Sequence, residues 1–214
     1  MAQAVIFDLD GTLADTLGSI THYVNRTTAM LGLSSLSEKR VKSFVGNGAK
    51  LLIERVLEHL GHPELFDEAF ALYNQLYNAH PYHALKEYDG ITPMLETLKQ
   101  KGIRTAVLSN KPHSATRPIC RYLFGELVDF SQGQLPDIPI KPDPQGLNLV
   151  CEKLGVSPED CVYVGDSEVD MLTGKNAGAF TVGVSWGFRD KTELKQNGAD
   201  AIIDTPSALL SFLK

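Results

Sequence analysis

Short apolar runs recur along the chain at positions 4–7, 105–108, 127–130, 161–164 and 180–184, and each is cut off by polar or glycine residues. Runs this short, without polar alternation, read as strands buried on both faces, the habit of a parallel sheet. Amphipathic stretches at 93–101, 114–123, 144–154 and 169–177 separate them, and Gly102, Gly155 and Gly178 stand where helix C-termini call for glycine. Strand alternating with helix predicts an α/β fold with a doubly wound parallel sheet. A short strand at 201–203 and a helix from Pro206 complete it.

Residues 15–86 break this rhythm. They carry helical patterns and almost no strand signal. Leu51, Leu52, Ile53, Val56, Leu57 and Leu60 make one apolar face, and Phe66, Phe70, Tyr73 and Tyr77 another. The prediction is a helical bundle inserted after the first strand, with the aromatic stripe in its core. The domain division is residues 1–14 with 87–214 as the α/β core, and 15–86 as the insert.

Composition narrows the possibilities. Hydrophobic residues make up 43% and charged residues 21%, values that suit a packed globular chain. The net charge is −6 and no segment gathers cations into a stripe, which argues against nucleic acid as a partner. No apolar run approaches the roughly 20 residues that span a bilayer, and the first residues have no basic start followed by an apolar stretch. Cys120, Cys151 and Cys161 have neither CxxC spacing nor a histidine cluster, and read as buried thiols. The expectation is a cytoplasmic protein, monomer or homodimer, with no membrane partner.

The candidate chemistry stands at the ends of the runs. The first ends in Asp8-Leu9-Asp10-Gly11-Thr12, the second in Ser109-Asn110-Lys111, and the fourth in Gly165-Asp166-Ser167 with Asp170 following. Parallel sheets bind ligands beyond the carboxyl ends of their strands, so these groups converge if the strands are neighbours. Asp8 and Asp10 are two apart and share one side of an extended segment. Adjacent carboxylates repel unless a cation lies between them or one is protonated. Asp166 adds a third oxygen, and the Asp10 carbonyl is a further candidate. Hard oxygen ligands beside a phosphate suit Mg²⁺. A carboxylate can be the covalent nucleophile in phosphoryl transfer, which otherwise needs alignment and charge neutralisation. Ser109, the amide of Asn110, Thr12 and Lys141 are candidate phosphate contacts.

Asp8-Leu9-Asp10-Gly11-Thr12, Ser109, Lys141-Pro142-Asp143-Pro144 and Gly165-Asp166-Ser167 with Asp170 resemble, in this order, the four motifs of the haloacid dehalogenase superfamily. The helical insert after the first motif resembles the cap of the subfamily that includes phosphoglycolate phosphatase and β-phosphoglucomutase. The resemblance implies a Mg²⁺-dependent phosphatase acting on a small phosphorylated metabolite such as 2-phosphoglycolate through an aspartyl-phosphate. It implies Asp8 as nucleophile and metal ligand, and Asp10 as acid and then base, with its carbonyl on the metal. It further implies Ser109 and Lys141 on the phosphate and Asp166 as a metal ligand. Asp170 would orient Lys141 or a metal-bound water; a charge favoured by a helix N-terminus is an equal reading. Gly46, Asn47 and Gly48 resemble a substrate-binding cap segment, while an ordinary turn reads equally well. Lys50 reads as solvent-facing, and Thr16 and His113 as bland.

The same core residues serve a phosphomutase or a pyrophosphatase, and a non-catalytic binding protein would lack one of Asp8, Asp10, Lys141 or Asp166. The mutase cap carries an arginine motif where this chain has Gly46-Asn47-Gly48-Ala49. Serine at 109, where many phosphoglycolate phosphatases have threonine, keeps the hydroxyl.

Overall fold

The structure, a computed structural model, describes residues 2–213. Strand β1 (Ala4–Phe7) runs straight into the first aspartate motif. Two short strands, β2 (Ala14–Asp15) and β3 (Lys86–Glu87), then pair antiparallel, with Ala14 opposite Glu87 and Asp15 opposite Lys86. Between them lie α1 (Leu17–Met30), α2 (Glu38–Lys42), α3 (Gly48–Leu60) and α4 (Phe66–Ala79). Tyr23, Val24, Ile53, Val56, Leu57 and Ala69 are buried among these helices. The Tyr23 hydroxyl donates to the His80 carbonyl at 2.7 Å, so its one polar atom is satisfied inside that packing. The two-residue ribbon carries both chain crossings and was not legible in the sequence, because two residues leave no periodicity to read.

After the ribbon come α5 (Ile91–Gln100), β4 (Arg104–Pro112), α6 (His113–Phe124), β5 (Phe130–Gln134) and α7 (Gln145–Leu154). Next are β6 (Cys161–Gly165), α8 (Glu168–Ala177), β7 (Phe180–Val184), α9 (Lys191–Gln196) and β8 (Ala201–Ile203). The last helical segment, Pro206–Phe212, is a 3₁₀ helix. The six-stranded sheet has the order β5-β4-β1-β6-β7-β8, and every pairing in it is parallel. On β1, Val5 and Phe7 face the cluster with Leu95, Leu98, Ile119 and Leu209, while Ala4 and Ile6 face Leu147 and Val150. Both faces are therefore covered, which is why the strand shows no polar alternation. Fully burying each such leucine contributes roughly 1.5–3 kcal/mol.

One predicted strand moves. The 127–130 run overlaps β5 only at Phe130. Residues before it are held at the sheet edge by side chains: Thr105 N–H donates to Asp129 Oδ2 at 2.8 Å, and Thr105 Oγ1 to the Leu127 carbonyl at 2.7 Å. The strand itself passes through Gln132 and Gly133. A Cβ at Gly133 would overlap Thr116 and the Lys111 carbonyl, so close backing by α6 excludes the apolar residue that would have marked a strand. Among the described residues, no helix is long and apolar enough to cross a membrane.

Candidate active site

Phe7 stands opposite Val107 on one side and Val164 on the other, so the segments that follow these three residues start from one level. Asp8 follows directly, its N–H donating to the Val164 carbonyl at 2.8 Å. Ser109 and Asp166, each two residues beyond those partners, reach the same crevice. β1 sits where the strand order reverses, the position at which open α/β sheets bind ligands.

Lys141 lies between two carboxylates. Its Nζ is 2.9 Å from Asp8 Oδ1 and 2.7 Å from Asp170 Oδ1, and it donates to the Tyr163 hydroxyl at 3.2 Å. The approach to Asp8 is an ion pair off the direction of a hydrogen bond, so Asp8 Oδ1 stays buried without a donor. Lys141 is 4% exposed, and its desolvation alone costs several kcal/mol. Burial works against its charge, but Asp170 and Asp8 outweigh burial and hold the ammonium well above the ordinary lysine range. The Asn110 side chain staples the segment, accepting from Lys141 N–H at 2.8 Å and donating to the Lys141 carbonyl at 3.2 Å.

Asp170 lies both at the α8 N-terminus and beside Lys141. It is the third residue of α8, where its carboxylate accepts from the Ser167 N–H and hydroxyl in a capping box. Its other oxygen takes Lys141 and the Tyr163 hydroxyl. With both oxygens engaged, it orients Lys141 and has no free oxygen for direct ligation.

Asp10 belongs to a separate pair. Lys111 Nζ donates to its Oδ1 at 3.0 Å and its Oδ2 at 2.9 Å, and lies 4.8 Å from the centre of the Tyr77 ring. Burial would lower the Lys111 pKa, but Asp10 and the tyrosines Tyr77 and Tyr73 more than reverse it. The sequence reading assigned no role to Lys111. The register with β5 is irregular between Leu108 and Pro112, and Ser109, Asn110 and Lys111 all line one cavity, so alternation along the strand would not have found it.

Asp166 is held from two directions. Thr12 Oγ1 donates to Oδ1 at 2.9 Å, and the Phe188 N–H donates to Oδ2 at 2.7 Å. Thr12, expected at a phosphate, thus has its hydroxyl committed to a carboxylate. Gly11 has φ +89°, and a Cβ there would overlap the Asp166 carboxyl group, so both its conformation and its space require glycine.

Oxygen atoms of Asp8, Asp166 and Asp170 lie within 4.8 Å of one another. The buried site holds the carboxyls of Asp8, Asp10, Asp166 and Asp170 against the ammonium groups of Lys111 and Lys141. With all ionised, two negative charges are in excess. Burial pushes Asp8 up to about 7, with Lys141 opposing and Asp170 and Asp10 adding to the rise. Burial, then Asp170 and Asp8, also lift Asp166 well above the carboxylate range. The excess charge, the orphaned Asp8 oxygen and the all-oxygen donor set fit a divalent cation on Asp8 and Asp166. The Asp10 carboxylate, tied to Lys111, lies outside this cluster, so Asp10 would contribute through its backbone carbonyl.

A cavity of about 50 Å³ opens beside these groups. Asp8, Asp10, Ser109, Asn110 and Lys111 line it from the sheet side, and Ile20, Gly46, Gly48, Leu52, Tyr73 and Tyr77 from the inserted helical segment. The aromatic stripe therefore serves two roles, since Tyr73 and Tyr77 are core residues that also wall the cavity. Gly46 and Gly48 border the cavity where α3 begins, and the Asn110 side chain donates to the Gly46 carbonyl at 3.3 Å. Asn47, expected with them, is not among the lining residues. Lys50 is exposed, and His113 accepts the Gly133 N–H at 3.2 Å, a structural contact. Thr16 is buried at the start of α1.

Residues 2–178 match the family model of haloacid dehalogenase-like hydrolases. The chain is similar to Phosphoglycolate phosphatase 1 of Pseudomonas aeruginosa, at 33% identity across 98% of this chain and 79% of that protein. It is 33% identical to Phosphoglycolate phosphatase of Haemophilus influenzae, across 97% of this chain and 96% of that protein. The crystal structure of a predicted phosphoglycolate phosphatase from Haemophilus somnus superposes with a TM-score of 0.91 at 27% identity, covering 100% of this chain and 98% of that one.

Proposed function

The chain belongs to the haloacid dehalogenase-like hydrolases, and from that premise we propose that it is a phosphatase cleaving small phosphomonoesters, 2-phosphoglycolate foremost, through a phosphorylated Asp8. The observation that carries this reading is the Asp8 carboxylate itself. It follows β1 directly at the cavity, with Oδ1 free of hydrogen bonds and the Lys141 ammonium at 2.9 Å opposing its protonation.

An Asp8 oxygen attacks phosphorus as the bond to the alcohol oxygen breaks, and Asp10 gives that oxygen its proton. In the second half, Asp10 takes a proton from water, the water attacks phosphorus, and the bond to Asp8 breaks to release inorganic phosphate. Lys111 grips both oxygens of Asp10 and so fixes its direction for both proton transfers. Ser109 and the Asn110 amide contact the transferring oxygens, and Lys141 offsets charge on them and on Asp8. A divalent cation, Mg²⁺ by donor type, would add charge neutralisation on Asp8, Asp166 and the Asp10 carbonyl.

Residues 15–86 act as a cap that turns on the β2–β3 ribbon and shuts the cavity from bulk water. Gly46 and Gly48 leave the backbone at the α3 start open to the non-phosphate end of the substrate. The small cavity supports a leaving group of a few heavy atoms. The names of the relatives support 2-phosphoglycolate as the first candidate.

The test is phosphate release from a panel of phosphomonoesters with Mg²⁺, with and without chelator, beside an Asp8→Asn variant. Metal-dependent release that disappears in the variant is expected, fastest with two- and three-carbon alcohols. Release that survives in folded Asp8→Asn would remove the covalent mechanism.

A further inference from the structure

Residues 186–189, just after β7, reach in two directions at once. Towards the core, the Phe188 N–H donates to Asp166 Oδ2 at 2.7 Å. Trp186 Nε1 donates to the carbonyl of Thr12 at 3.0 Å, and the Thr12 hydroxyl holds the other oxygen of Asp166. Towards the helical segment, Lys42 Nζ donates to the Gly187 carbonyl at 3.0 Å, and Arg189 Nη2 to the Val45 carbonyl at 3.0 Å. Arg189 is itself pinned by Glu168 at 2.9 Å and Glu193 at 3.2 Å.

The Gly187 carbonyl and the Phe188 N–H belong to one peptide group. That group is planar and rigid, so its oxygen and its N–H move together. Lys42 of the cap therefore grips one end of a plane whose other end seats Asp166. A cation on the oxygen also polarises the N–H and strengthens its hydrogen bond. A Cβ at Gly187 would overlap Asp166 and the Gly11 carbonyl, so the plane is packed directly on the carboxylate.

We propose that Lys42 and Arg189 are positioning residues that tie cap closure to the seating of Asp166, so that cation binding and cap closure strengthen each other. Coupling of this kind is reciprocal: whatever closure adds to cation affinity, the cation adds to closure. The inference rests on the reading of Asp166 as a cation ligand.

Trp186 is the only tryptophan in the chain, so its fluorescence follows this loop without labelling. Full-length protein is titrated with Mg²⁺, and backbone hydrogen exchange at residues 43–52 is measured with and without Mg²⁺. In the unsubstituted protein Mg²⁺ should slow exchange there. Lys42→Met and Arg189→Met should each weaken Mg²⁺ binding about fivefold or more and abolish that slowing. Lys42→Arg, which can reach the same carbonyl, should retain most of both effects. Folded variants whose Mg²⁺ affinity and Mg²⁺-dependent protection match the unsubstituted protein would overturn the proposal. Lys42→Met decides the matter if Arg189→Met does not fold, because Lys42 lies outside the Glu168–Arg189–Glu193 cluster. An unsubstituted protein that does not respond to Mg²⁺ at all would remove the cation reading of Asp166 and this inference with it.

Discussion

Lys111 holds Asp10 by both carboxylate oxygens, at 3.0 Å and 2.9 Å, while Tyr77 from α4 lies against the same ammonium. In the proposed mechanism, a carboxyl group clamped in this way has one direction in which to move a proton. Lys111→Met frees that direction without touching Asp8 or Lys141. Misplacing a reacting group by about 1 Å can cost ~100-fold in rate. The expected result is a fall of about that size in kcat and in kcat/KM alike, with KM nearly unchanged. A rise in KM at constant kcat would mean that Lys111 binds substrate instead.

Much of the core was legible because strands buried on both faces cannot alternate polarity. Ala4–Phe7, Phe180–Val184 and Ala201–Ile203 coincide with the runs that announce them. β5 was misread because Gly133 has no room for a side chain, so packing erased the apolar signal. The motif aspartates were legible because they stand immediately after buried runs. Their supports were not. The Phe188 N–H is a backbone donor that any residue carries, and nothing in the sequence of Lys42 or Arg189 names the carbonyls they reach. Tyr163 sits within an apolar run, where its hydroxyl is invisible until Lys141 and Asp170 stand beside it.

Asp170→Asn tests the support of Lys141. Asparagine can keep an acceptor for Ser167, so the helix cap survives in part. The lost charge was 2.7 Å from an ammonium that is 4% exposed. Relief of repulsion towards Asp8 and Asp166, whose oxygens lie within 4.8 Å of it, offsets some of that loss. A net destabilisation of about 1–3 kcal/mol is expected in urea unfolding, together with slower phosphate release. Unchanged stability and rate would show that Asp8 alone suffices to hold Lys141.

Gly11→Ala should separate the cation site from the rest of the fold. At φ +89° an alanine is strained by roughly 1–2 kcal/mol, and its methyl group would occupy the space of the Asp166 carboxyl. The carboxylate must then leave the grip of Thr12 and the Phe188 N–H. Disturbing groups that orient a metal ligand commonly costs 10–100-fold in affinity. Calorimetric titration with Mg²⁺ should therefore show weakening of about tenfold or more. Full Mg²⁺ affinity in this variant would argue against Asp166 as a ligand.

Stability against pH tests the electrostatics of Asp8 in chelated protein. Burial, only partly opposed by Lys141, raises its pKa from 3.8 to about 7 in the folded chain. Between those values the unfolded chain has released the proton and the folded chain still holds it. Folding then takes up a proton, so the Asp8 contribution is in full force below the unfolded pKa and is lost as pH rises through about 7. The local slope approaches about 1.4 kcal/mol per pH unit for one proton. His22 and His113, whose pKa values are lowered chiefly by burial, act in the opposite sense, so the comparison must be made with Asp8→Asn. The stability difference between the unsubstituted protein and Asp8→Asn, from urea midpoints at pH 5 to 8, should move against the unsubstituted protein as pH rises. A divalent cation takes the place of the proton, so Mg²⁺ should stabilise the unsubstituted protein more at pH 8 than at pH 5. A flat difference curve with chelator would mean that Lys141 already keeps Asp8 ionised, and that Asp8 needs no cation to hold its charge.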